Sequence, residues 1–415
     1  MEARLKHFSL NVLVAVASLI LTFTVLNTIL RCNLHRLPLR LHTYLPDGIQ
    51  ALAQTSKNGV TPHDYILIVG DSYAAGLGDW LGDVKDETTP AFNAAHVVHE
   101  STGRDTITFN GAGGGSIRAT VAEPLSQFDY INTFLIEDLE PPEQIIVYFY
   151  EGNDLNDNLK DLSKRFYRSH NEKELHNYKT FSHFLDGLIF NDETSVSARS
   201  FWFADHLLLY EFTRKMLVDV WRQYFTVEAK KPRKLLKKSG INKVVVQQQS
   251  VEIPDRLQSP ALELGAIDID SALQVFWHSL RKLSERFPRT RISVVHIPSP
   301  LTSYRLISKQ VSIQTYNDGA EFHESIRVPE QHLRICAKLR KIAHDCRAEF
   351  VDATWRIRES SATSINHGPK DWKHFNKFGY KALARAVVDL VNGTPTEQGE
   401  CFRELNSPAT ETDSL

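Results

Sequence analysis

From Phe8 to Leu30 the chain runs 23 residues without a charge, FSLNVLVAVASLILTFTVLNTIL. About 20 consecutive apolar residues span a bilayer as a helix, because only a helix pairs every backbone amide inside hydrocarbon. Arg4 and Lys6 precede the run; Arg31, Arg36 and Arg40 follow it. A secretory leader has a shorter apolar core, about 7–15 residues, closed by a small-residue cleavage site. Here the run ends at Arg31, and Cys32 lacks the small residues that precede a lipoprotein cysteine. The segment is therefore expected to be an uncleaved, single-span anchor covering residues 1–32. The flanking Lys/Arg count, two against three, is nearly a tie for orientation. Long downstream domains translocate regardless of their own charge. We expect the remaining chain on the extracytoplasmic, periplasmic side.

The other residues look soluble. The 415-residue chain is 42% hydrophobic and 24% charged, with 48 basic against 50 acidic residues. No global field recruits nucleic acid, and no nucleic-acid partner is expected. The four cysteines, Cys32, Cys336, Cys346 and Cys401, form no C-x-x-C pair, which speaks against zinc or redox chemistry through thiols. Cys336 and Cys346 would meet only if a helix ended between them, since ten helical residues span about 15 Å.

Residues 33–62 read as a linker. Beyond them, continuous apolar runs at Tyr65–Val69, Thr106–Phe109, Ile145–Tyr150, Ile292–Ile297 and Glu349–Val351 alternate with helical stretches. Strands apolar on both faces and separated by helices predict a parallel sheet covered on each side. Helices are expected near 205–225, at Ser271–Arg286 and at Asn376–Val391. Residues 157–290 form a long, irregular insertion, with a basic run at Lys230, Lys231, Arg233, Lys234, Lys237 and Lys238. That run reads as a solvated connection, or as a contact for lipid headgroups or anionic glycan. Residues 394–415 are polar and expected to be disordered.

Four short motifs stand at strand ends or at the start of the last helix. The first strand closes on Gly70-Asp71-Ser72-Tyr73, which puts a serine where a parallel sheet carries its sites. The second leads into Asn110-Gly111-Ala112-Gly113-Gly114-Gly115-Ser116. It lacks the last glycine of G-x-G-x-x-G and the lysine of a P-loop. The third ends in Glu151-Gly152-Asn153-Asp154, where an asparagine amide can face an oxyanion. Last comes Asp371-Trp372-Lys373-His374-Phe375-Asn376, whose Asp and His can pair within one tight loop.

These blocks, in this order, resemble the SGNH (GDSL-like) hydrolase family over roughly residues 63–393. The resemblance implies a three-layer α/β/α, flavodoxin-like domain with a five-stranded parallel sheet, here preceded by the anchor. It also implies Ser72 as nucleophile, His374 as general base and then acid, and Asp371 as the group that orients His374. The backbone N–H groups of Ser72 and Gly115 and the side chain of Asn153 would form the oxyanion hole, with Gly114 an alternative to Gly115. No metal or cofactor is implied.

The expected activity is serine-esterase hydrolysis of an acyl ester, such as acetyl, on a glycan, lipid or small molecule. The same triad serves an O-acyltransferase if a sugar hydroxyl replaces water. A third reading is an anchored, non-catalytic glycan-binding scaffold, against which the complete Ser72–His374–Asp371 set argues. The segment between Asp154 and the next strand exceeds 130 residues. It is expected to carry the substrate pocket or a lid.

Overall fold

The computed structural model describes residues 2–84, 86–110, 114–134, 139–191, 207–225, 236–393 and 400–403. Its centre is a parallel sheet of β1 (Ile66–Gly70), β2 (Thr106–Asn110), β3 (Gln144–Tyr150), β6 (Arg291–Ile297) and β10 (Glu349–Asp352). The order across the sheet is β2-β1-β3-β6-β10, and every pairing is parallel. All five expected strands form, each within a residue of its apolar run.

Side chains that alternate along each strand enter two separate cores. Leu67, Val69, Ile145, Val147 and Val294 join the first. It is covered by α4 (Glu123–Phe134), α5 (Asp154–Lys164), α7 (Tyr178–Asn191), α9 (Ala266–Arg286) and α10 (Arg327–Asp345). Ile66, Ile68, Ile146, Tyr148, Val295 and Val351 join the second. Its helices are α3 (Ala94–Thr102), α11 (Thr354–Ser361) and α12 (Lys377–Val391). Burial from both sides is why these strands carry no polar alternation. The start of α12 was legible too: Asn376 caps it, accepting from the amides of Phe378 and Gly379.

A third core lies beside the sheet's carboxyl edge. It joins β4 (Lys243–Val246), β5 (Gln249–Glu252) and β7 (Arg305–Leu306) to the hairpin of β8 (Gln310–Gln314) and β9 (Ala320–Glu324). Trp372 of the last motif belongs to this core, together with Leu257 and Tyr304, and its ring stacks on His367.

Helix α1 (Glu2–Cys32) contains the apolar run, and Leu10–Cys32 is long and apolar enough to cross a membrane. The 33–62 segment departs from the expected linker. It folds into three 3-10 turns whose Leu34, Leu45, Ile49 and Leu52 are fully buried in the first core. Leu45, Ile49 and Leu52 do stand at i, i+4 and i+7, but Pro38, Pro46 and Gly48 among them read as loop. The tail departs at one point. Cys401 is bonded to Cys336 of α10, and the Phe402 amide donates to Asp352 Oδ2 at 2.8 Å. Cys346 remains a free, half-buried thiol. Of the basic run, Lys237 and Lys238 are exposed, while 230–234 lies outside the described residues.

Two buried histidines make the fold sensitive to acid. His278 of α9 is fully buried with its Nε2 donating to the Leu175 carbonyl, and burial pushes its pKa down to about 4. His96 of α3 is likewise pushed down to about 4 by burial. Unfolded, each regains a pKa near 6.5, so the unfolded chain binds more protons between pH 6.5 and 4. Stability should fall through that window by about 3 kcal/mol per histidine. His278→Gln should narrow the difference between urea midpoints at pH 7 and pH 4.5. An unchanged difference would count against a neutral buried His278.

Candidate active site

β1 ends at Gly70, and the chain turns tightly through Asp71-Ser72-Tyr73. Asp71 is buried and holds the turn, its Oδ1 accepting from the Tyr73 amide at 3.0 Å. The Ala74 and Ala75 amides return to the Asp71 carbonyl. Ser72 is left half-buried, with Oγ donating to Asp71 Oδ2 at 3.3 Å.

β3 ends beside it. The Asp154 Oδ2 accepts from the Tyr150 amide at 2.8 Å, which folds Glu151-Gly152-Asn153 outward before α5 begins. Gly152 is required there: a Cβ would sit 2.4 Å from the Tyr150 ring. Asn153 Nδ2 donates to Asp71 Oδ2 at 3.2 Å and to Asp157 Oδ2 at 3.0 Å.

The last motif reaches the same point from the other side. Asp79 fixes its loop, Oδ2 accepting from the amides of Lys370 (2.6 Å) and Asp371 (2.8 Å). Asp371 is buried, and its Oδ2 lies 2.8 Å from His374 Nδ1. Nε2 is thereby the nitrogen available for proton transfer. Beneath the histidine, the Tyr73 ring packs 5.7 Å from the imidazole and 4.3 Å from the Tyr150 ring. The Tyr73 hydroxyl donates to the Lys373 carbonyl at 2.8 Å. One aromatic residue thus ties the serine turn to the histidine loop.

Ser72, Gly152, Asn153 and His374 line one pocket of about 210 Å³ at the carboxyl edge of the sheet. The arrangement differs from a poised triad in one contact. Among the described residues no hydrogen bond joins Ser72 to His374; the serine hydroxyl is turned to Asp71 instead. A χ1 rotation of Ser72 is the local movement that would change its acceptor.

The electrostatics are set by three carboxyls. Burial, reinforced by Asp71, raises the Asp154 pKa well above the carboxylate range, and its Oδ1 has no hydrogen-bond partner. A neutral Asp154 avoids a second buried charge beside Asp71. Burial also raises Asp157, although the Tyr316 hydroxyl donates to its Oδ1 at 2.6 Å. Both amide hydrogens of Asn153 are engaged by Asp71 and Asp157. Facing an oxyanion requires exchange of one bond, and protonation of Asp157 weakens the second.

Of the glycine loop, the described Gly114 and Gly115 do not line the pocket. Gly115 packs against the first turn of α5, where a Cβ would lie 2.2 Å from Asn158 Oδ1 and 2.6 Å from its amide nitrogen. The next amide, Ser116 N, donates to Asn158 Oδ1 at 2.6 Å. Gly111–Gly113 lie outside the described residues. Gly115→Ala should destabilise the fold by about 1–3 kcal/mol, since the backbone of α5 must move. Urea unfolding checks this, and a stable variant would show that the contact is soft.

Sequence reasoning placed the insertion at the pocket but missed the hairpin beyond it. Gln258 and Glu263 come from the insertion, whereas Gln314, Tyr316 and Asp318 come from the β8–β9 hairpin that follows it. It also missed Asp79. No spacing rule flags these residues, because they reach the pocket through tertiary packing of short, polar edge elements. No family model matches the chain, and no curated protein or solved structure matches it either.

Proposed function

We propose that the protein is a membrane-anchored serine esterase of the SGNH type, acting on an acyl ester of a polar, hydroxyl-rich molecule. The observation that carries this reading is the meeting of Ser72, Asn153 and the Asp371-oriented His374 in one pocket. The strand order supports it as well. Numbered within the sheet alone it is 2-1-3-4-5, the flavodoxin-like order, with helices on both faces.

In the reaction, Ser72 Oγ attacks the ester carbonyl carbon while His374 Nε2 takes its proton. The tetrahedral intermediate collapses, the C–O bond to the alcohol breaks, and Nε2 protonates the departing oxygen. Water then attacks the acyl-serine, giving its proton to Nε2. The C–Oγ bond breaks, the acid leaves and Ser72 regains its proton. Asn153 and the Ser72 amide steady the oxyanion in both steps. If a sugar hydroxyl displaces water in the second half, the product is a new ester.

Pocket chemistry favours a carbohydrate-like ester over a lipid. Asn156, Gln258, Gln314 and Thr315 offer hydrogen bonds, and Tyr316 offers an aromatic face. The carboxyls Asp157, Glu263 and Asp318 outnumber Lys373, which disfavours phosphorylated substrates. A serine-directed fluorophosphonate should label the full chain in detergent on the peptide containing Ser72. An acetylated oligosaccharide should protect it better than a long-chain acylglycerol. Absence of label at Ser72 would reject the nucleophile assignment; equal protection by the lipid would reject the substrate class.

The membrane reading rests on α1 and draws support from α8 (Leu208–Phe225). The α8 amide of Leu209 donates to Asn27 Oδ1 of α1 at 2.9 Å. Leu208 and Phe212 face the first core, while Tyr210, Leu217 and Trp221 share the opposite, exposed face. An outward apolar face continuous with a spanning helix suits the bilayer interface, where Trp and Tyr concentrate. The Cys336–Cys401 disulfide fits an oxidising compartment, and so the extracytoplasmic side. In nanodiscs, the emission of Trp221 should be quenched by lipid-borne bromine, and Trp221→Phe should remove that part of the signal. Loss of no quenching on substitution would put α8 in water.

A further inference from the structure

A second group of ionisable side chains lies behind the pocket, and the proposed reaction makes no use of it. Glu151 follows β3, His296 lies in β6, Asp352 ends β10, and His332 projects from α10. None of the four is more than 1% exposed. Glu151 Oε2 lies 2.8 Å from His332 Nδ1 and 3.2 Å from His296 Nε2. Asp352 meets the same rings from behind, Oδ2 at 3.3 Å from His332 Nε2 and Oδ1 at 3.6 Å from His296 Nδ1. The imidazoles stack at 5.0 Å with their planes 13° apart.

We propose that Glu151 Oε2, His296 Nε2 and His332 Nδ1 bind a divalent metal ion of the zinc class, with the Asp352 carboxylate behind both imidazoles. The three donor atoms lie within 4.8 Å of one another. Ligands about 2.0–2.1 Å from a tetrahedral ion are separated by roughly 3.4 Å, so modest side-chain shifts complete the geometry. Two imidazoles and one carboxylate select zinc and its first-row neighbours over calcium and magnesium, which take oxygen donors. Asp352 approaches the far nitrogen of each histidine without a hydrogen bond, and a small rotation of its carboxylate would give the support usual for metal-binding histidines.

Two further observations favour an ion. Neither ring nitrogen of His296 makes a hydrogen bond of acceptable direction, although both have carboxylate oxygens nearby. Glu151 Oε2 and His296 Nε2, 3.2 Å apart without a hydrogen bond, stand as two ligands of one metal do, whereas Glu151 Oε2 and His332 Nδ1 share a 2.8 Å hydrogen bond that a bound ion would replace. Charge is the second. Glu151 and Asp352 bring two carboxylates into a site where neither has any exposure. One dication would offset both carboxylates at once, adding to the Ser299, Thr354 and Phe402 amides that already donate to them. The Cys336 sulfur, 3.6 Å from Asp352, is tied in the disulfide and lies outside the donor set.

His332 borders a cavity of about 140 Å³ lined also by Thr302, Ser325, Arg358 and Phe402, which gives an ion a way in. Once bound, it would join the ends of β3 and β6 to α10, directly beneath Gly152-Asn153. The role is structural, and its test does not depend on ester turnover. Full-length protein purified in detergent from zinc-supplemented cells should carry about one equivalent of metal. Prolonged chelation should remove it and lower Tm, and added zinc chloride should restore both. His296→Asn, or His332→Gln if that variant folds better, should lose the equivalent, while Ser72→Ala should keep it. Metal-free protein whose Tm ignores both chelator and zinc overturns the proposal. So does a folded His296→Asn or His332→Gln variant that retains the full equivalent.

Discussion

Replacing Ser72 by alanine should lower kcat for an activated acetyl ester by roughly 10⁴–10⁶-fold, with the folded state untouched. The size follows from the chemistry: without Oγ there is no acyl-enzyme, and only uncatalysed attack by water in a polarising pocket remains. His374→Ala should cost a similar factor, because an unassisted serine hydroxyl is a poor nucleophile at neutral pH. The double variant should then be little worse than either single one, since the two residues act as one unit. Additive losses would mean that Ser72 and His374 work independently. Equal turnover by wild type and Ser72→Ala would end the esterase proposal. Far-UV circular dichroism and Tm separate these outcomes from misfolding. Ser72 is half-buried and donates only to Asp71, so its removal opens no large cavity.

The second large effect belongs to stability. Asp352→Ala should lower the free energy of unfolding by about 3–5 kcal/mol. Asp352 has no solvent exposure and collects three kinds of partner. Its Oδ1 accepts from the Thr354 amide at 3.1 Å, its Oδ2 accepts from the Phe402 amide at 2.8 Å, and both oxygens face the stacked histidines. Truncation strands the buried Thr354 amide, where an unmade hydrogen bond costs about 1–3 kcal/mol, and removes the counter-charge behind two buried imidazoles. The surface pair Arg40–Asp86 gives the contrast. Its side chains are 56% and 62% exposed, and Arg40→Ala should change stability by less than about 1 kcal/mol. Urea titrations of the two variants decide the matter, and equal losses would mean that Asp352 is far better solvated than its burial implies.

The sequence disclosed the sheet because its strands are sealed on both faces. Residues such as Ile66–Val69 and Ile145–Tyr150 are therefore apolar without interruption, and no other arrangement tolerates so many consecutive apolar residues between charged helices. The positions of Ser72, Asn153 and His374 were legible for the same reason, since strand ends are visible where apolar runs stop. The hairpin that completes the pocket was not. β8 and β9 are short, half-exposed and polar, and their residues mean nothing until the hairpin closes over Asn153. The Glu151–His296–His332–Asp352 group was hidden in another way. Its members lie on four different elements, the outermost 201 residues apart (352 − 151), so no local spacing unites them. Cys401 sat in a tail whose composition suggested disorder, and only the fold brings it to Cys336.

That last bond closes residues 336–401 into a covalent ring. Within its circumference lie β10, α11, the loop bearing Asp371 and His374, and all of α12. A cross-link around a loop of this length removes about 4 kcal/mol worth of disorder from the unfolded chain. The ring also decides what damage can do. A peptide bond cut anywhere inside it would leave both pieces attached, so the histidine loop would stay tethered to the domain that holds its serine.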